Sequence, residues 1–203
     1  METYRQIVER FGSVGLEVML VASELRTGPD RGAALLGQSL VENALRLAIR
    51  LAMPAKFKHI KPLIGDGESA GVLGFSDQVR LAYGLGIISE DSLYDLLIIA
   101  KIRNRFGHSP EPMRFEDKRI KDRCLALKNV NTRPYGGGSP EATARDRYVC
   151  CVSHYYRTLG AACQELVKGW EDCSASEETN PIAPVTQAAP QASPPTTEPP
   201  AEA

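Results

Sequence analysis

The 203 residues carry 24 basic and 25 acidic side chains, with 43% apolar residues and only 6% aromatic ones. This is ordinary for one globular core; the scarcity of aromatics favours packed helices of Leu, Ile, Val and Ala over a β-sandwich. Four Glu and no Lys or Arg stand beyond Cys173, so the chain before it is mildly basic, 24 against 21, far from the field of a dedicated nucleic-acid binder.

In chain order, TYRQIVERF and VGLEVMLVASELR read as a helix pair broken at Gly12-Ser13 and stopped by Thr27-Gly28-Pro29. The opening from Met1 to Arg10 is charged and does not read as a signal peptide. Apolar runs fall short of the ~20 residues that a membrane span needs. Asp30 is placed to cap RGAALLGQSLVENALRLAIRLAM, in which Leu36, Leu40, Leu47 and Met53 recur at helical spacing until Pro54. AKFKHIKPLIGDGESAGVLG then reads as a long connection, basic at Lys56, Lys58, His59 and Lys61 and Gly-rich afterwards. Connections of that length inside a domain are often functional.

Ser76 is expected to cap SDQVRLAYGLG, which Gly84 and Gly86 close. Ser89 is expected to cap EDSLYDLLIIAKIRNRFGH, with Glu90 and Asp91 at the positive end and Pro110 and Pro112 beyond the other. FEDKRIKDRCLALK is a shorter basic helix and NVNTRPYGGGSPE a loop. Ser139-Pro140-Glu141 opens a long last helix from about Ala142 to Trp170. The remainder holds seven of the fourteen prolines and is predicted to be disordered. The organisation expected is all-α: one helical-bundle domain over residues 1–172 and a proline-rich tail over 173–203.

Cys124, Cys150, Cys151, Cys163 and Cys173 have no C-x-x-C spacing. They read as reduced, mostly buried thiols, which predicts a cytoplasmic protein. His59, His108 and His154 are too scattered for a metal site, and no G-x-S-x-G, P-loop or H-E-x-x-H is present. No metal or cofactor is expected.

The helix after Ser89 carries the most information. At about 100° per residue, Leu93, Leu96, Leu97, Ile98, Ile99, Ile102 and Phe106 spread almost all round it, as on a helix enclosed by neighbours. Tyr94, Lys101 and Arg105 form a polar strip. Lys101 and Arg105 are like charges one turn apart, at a cost of about 0.2–0.5 kcal/mol. Arg103 and Asn104 fall in apolar sectors, with His108 one turn beyond Asn104 on the same face. Read structurally, Arg103 and Asn104 bind loop carbonyls or a carboxylate such as Glu42, and His108 caps the helix. Read functionally, the three form a site.

The string Arg103-Asn104-x-x-x-His108 resembles the Arg-x4-His signature of the HEPN superfamily. The resemblance implies metal-independent RNA cleavage across a helical dimer. His108 would move the proton, Arg103 would stabilise the phosphate charge and Asn104 would orient one of them. Over roughly residues 16–130 the chain also resembles the mannitol operon repressor family. The strings that carry this are RGAALLGQSLVENALRLAIRLAM, LGFSDQVRLAYGLGIISEDSLYDLLIIAKIRNRFGHS and FEDKRIKDRCLALK. Gly107 in place of Ala, and the Gly-rich stretch before Leu73, depart from the family pattern. This resemblance implies an all-α fold and regulation of sugar-alcohol uptake genes.

SDQVRLAYGLG and SEDSLYDLLIIAKIRN superficially resemble a helix-turn-helix, yet Glu90, Asp91 and Asp95 would repel phosphates at the end that should meet bases. Lys118, Arg119, Lys121 and Arg123 make a better phosphate-contacting surface. The expectation is a homodimeric regulator acting through a protein partner. Nucleic acid is left open, though not through a helix-turn-helix, and no membrane is involved. A HEPN-like ribonuclease and a non-catalytic adaptor are the alternatives.

Overall fold

The computed structural model describes residues 23–53, 57–65, 71–130 and 142–177, and among them every regular element is a helix. A helical stretch over 23–27 leads to α1 (Asp30–Ala52), α2 (Phe57–Ile64), α3 (Phe75–Gly84), α4 (Glu90–His108), α5 (Lys118–Leu125) and α6 (Ala144–Glu177). The all-α expectation holds. No described helix is long and apolar enough to cross a membrane.

The helical period of the apolar residues decides the packing. Ala34, Val41, Leu45, Ala48 and Ile49 line one face of α1, and all are fully buried. That face meets α6, α4 and α3, while α5 closes against α6 and α4. Phe106, Phe115 and Tyr148 stack in sequence at centroid distances of 5.1 and 5.2 Å. Close approach of α1 and α6 depends on Gly37, where an added Cβ would lie 2.9 Å from the Tyr148 ring. The buried Tyr148 hydroxyl donates to Ala34 O at 2.8 Å.

Several local expectations change. Asp30 is the first residue of α1 and not its cap, with Pro29 in the cap position. Its carboxylate instead accepts from Phe115 N and from Arg145 Nη1, both at 2.9 Å. Ser76 lies inside α3, which starts at Phe75 behind Gly74. The expected long connection contains α2, whose Ile64 is fully buried and which ends at Gly65 with φ of 75°. The chain then returns alongside, with Leu73 N donating to Leu63 O at 2.8 Å.

The last helix starts at Ala144, where Thr143 and Asp146 bond reciprocally: Thr143 N donates to Asp146 Oδ2 and Asp146 N to Thr143 Oγ1, each at 3.1 Å. It continues past Trp170 because EDCSASE holds no Gly or Pro to stop it. Most of the expected first helix pair, Ser139-Pro140-Glu141 and the proline-rich tail beyond Glu177 lie outside the described residues.

Candidate functional site

Helix α4 begins at an N-cap: Ser89 Oγ accepts from Ser92 N at 3.3 Å, and Glu90 and Asp91 sit in the positive first turn. Leu96, Ile98, Ile99, Ala100, Ile102 and Phe106 are buried, so the helix runs through the bundle. Its enclosure is one-sided, however. Leu93 and Leu97 are half-buried, and Asn104 and His108 in the same sector are exposed. The expected burial of Asn104 is therefore corrected: no described neighbour covers this sector at the C-terminal end.

There an open cleft of about 340 Å³ is lined by Lys101, Asn104, Arg105, His108, Ser109 and Arg123. Arg123 crosses from α5, and its Nη1 donates to Lys101 O at 2.9 Å. Ser109 follows α4 and its segment is fixed from α1, because Arg31 Nη2 donates to Ser109 O at 2.7 Å and Glu111 O at 3.0 Å. Arg147 holds the end of α5, donating to the carbonyls of Cys124, Leu125 and Leu127 at 3.0–3.2 Å. These ties set Arg123 and Ser109 against α4.

Arg103 is half-buried and does not line the cleft; its Nη1 donates to Asn104 Oδ1 at 3.3 Å. Glu42, an expected partner for Arg103, instead accepts from Arg46 Nη2 at 3.0 Å and Gln38 Nε2 at 3.1 Å. Of the expected phosphate-contacting residues, only Arg123 reaches the cleft. Lys118 and Arg119 are exposed on α5, and Lys121 pairs with Glu116 at 3.4 Å. Lys101, Arg105 and Ser109 were not expected as site residues. The signal for two of them was legible, since Lys101 and Arg105 repel each other at helical spacing.

Asp95 is not the solvent-facing acid expected at the start of α4. It is fully buried and accepts from Lys128 N and Asn129 N at 2.9 Å, Asn129 Nδ2 at 3.1 Å and Tyr155 OH at 2.8 Å. Burial, and secondarily this carboxylate, hold the Tyr155 phenol far above its usual range. Asp91 is paired with Lys128, whose ammonium also lies 4.9 Å from the Tyr94 ring centre. Burial pushes the Cys124 and Cys163 thiols up to about 12, and Cys151 higher. None of the three is a nucleophile near neutral pH.

No protein-family model matches the chain, and no curated protein does. A chain in the X-ray structure of the MtlR–HPr complex from Escherichia coli is similar in fold, with a TM-score of 0.55 and 19% identity. The match covers 70% of this chain and 98% of that one. At this identity the likeness is one of fold, and at that level the expected mannitol-repressor-like architecture is met.

Proposed function

We propose that the protein is a cytoplasmic regulator of sugar-alcohol uptake genes that acts by docking a protein partner and not by reading DNA. The observation that carries the proposal is the cleft at the end of α4, where three cations gather and no carboxylate lines the wall. Uncompensated surface charge of one sign steers a partner of the other sign and fixes its orientation. The fold is that of a protein crystallised with HPr, which supports a protein ligand. Groove reading by α4 is disfavoured because its apolar length packs inside the bundle.

Isothermal titration of the full chain with the HPr protein of the same organism, and separately with the duplex upstream of its uptake operon, tests this. Saturable partner binding, with only weak and sequence-indifferent DNA binding, is expected. Tight sequence-specific DNA binding by the chain alone overturns it.

A second reading, metal-independent RNA cleavage, draws on one observation: His108 and Asn104 share the cleft with Lys101, Arg105 and Arg123. Histidine is the usual proton carrier near neutral pH. Arg103 stands outside the cleft of its own chain, so an Arg103–His108 pair requires a homodimer in which a second copy supplies Arg103.

A further inference from the structure

The cleft holds more positive charge than the fold uses. The C-terminal dipole of α4 attracts roughly half a unit of charge, and Arg105 and His108 in the last turn already meet it. Lys101 one turn earlier opposes Arg105, and Arg123 brings a third cation from α5. Four exposed cations elsewhere have acidic partners, Arg80 with Asp77, Lys121 with Glu116, Lys128 with Asp91 and Lys168 with Glu165, while Lys118 and Arg119 on α5 have none among the described residues. No described carboxylate pairs with Lys101, Arg105 or Arg123. Between them stand neutral groups. Asn104 accepts from Arg103 through its carbonyl oxygen, and the His108 imidazole and Ser109 hydroxyl complete the wall.

We propose that this cleft binds a small phosphorylated polyhydroxyl molecule, with Lys101, Arg105 and Arg123 on the phosphate and Asn104, His108 and Ser109 on the hydroxyl groups. Arginine forks and an ammonium match an oxyanion with several acceptor oxygens. The volume of about 340 Å³ exceeds what a bare phosphate fills and lies at the low end of small-molecule sites. Every lining side chain is polar and none is Phe, Tyr or Trp. A nucleobase would find only the His108 imidazole and the arginine planes to stack on, whereas a polyol would find hydrogen-bonding groups throughout. The inference rests on the reading that this cleft is the working surface of a regulator of sugar-alcohol uptake, and it makes the phosphorylated polyol the signal.

Calorimetric titration of the full chain with a hexitol monophosphate, the free hexitol, inorganic phosphate and a single-stranded RNA oligomer tests it. The hexitol monophosphate binds, inorganic phosphate binds more weakly, and the free hexitol gives no heat. Lys101→Ala with Arg105→Ala lowers affinity for the hexitol monophosphate at least about tenfold at an unchanged melting temperature. Asn104→Ala weakens the hexitol monophosphate but leaves inorganic phosphate untouched. Absence of binding at millimolar hexitol monophosphate, affinity unmoved by the double substitution, or tighter binding of the RNA through the same residues each overturns the proposal. These titrations need no protein partner, so failure of partner binding and failure of the small-molecule site are separate results.

Discussion

The carboxylate of Asp95 receives two backbone N–H groups, an amide and a phenol, and so joins α4, α6 and the chain after α5 at one point. An asparagine there would keep the shape but turn an N–H₂ group toward donors. Asp95→Asn is expected to cost about 2–4 kcal/mol, since donors would be stranded in the interior. Urea denaturation followed by circular dichroism measures this, and a loss below about 1 kcal/mol would mean that the donors find other partners. The sequence could not show this role. The partners stand 33 to 60 residues away, and an Asp early in a helix reads most simply as a solvent-facing group that suits the dipole. Asn104 misled in the opposite direction. Its place among leucines suggested burial, but Leu93 and Leu97 in that sector are themselves only half covered.

Among the elements, α4 was legible because its signals agree: Ser89 caps it, acids follow, apolar residues recur and prolines lie beyond. Helix α2 was not, since FKHIKPLI is short, contains Pro62 and is held by the burial of Ile64 and by the return of Leu73. The crossing of α1 and α6 was also hidden, because Gly37 looks like a mere weakness in a helix. In a helix interior Ala is favoured over Gly by about 1 kcal/mol. Here the added methyl would press at 2.9 Å on a fully buried ring whose hydroxyl is fixed on Ala34. Overpacking of that kind costs about 1–3 kcal/mol, so Gly37→Ala is expected to lower stability on balance. A rise in the denaturation midpoint would show that Tyr148 yields, and that propensity and not packing decides the position.

At the scale of the molecule, the bundle follows from apolar periodicity on α1 and α4, which is why the all-α architecture was readable without any β signal to compete with it. The cleft was only half readable. Periodicity placed Asn104 and His108 on one face, but nothing local to α4 says that Arg123 arrives from α5, or that Arg31 and Arg147 pin the flanking segments by binding backbone carbonyls. Arg103 and His108, five positions apart in the string that suggested nuclease chemistry, end up serving different surroundings. The central claim is that this basic end of α4 docks an acidic protein partner. Reversing its charge with Lys101→Glu and Arg105→Glu, both exposed, should leave the thermal melt nearly unchanged. Titration of that variant with HPr in about 0.1 M salt should show affinity reduced at least tenfold relative to the unaltered chain, with a shallower salt dependence. Equal affinity and equal salt dependence for the two chains would place the partner elsewhere and contradict the account.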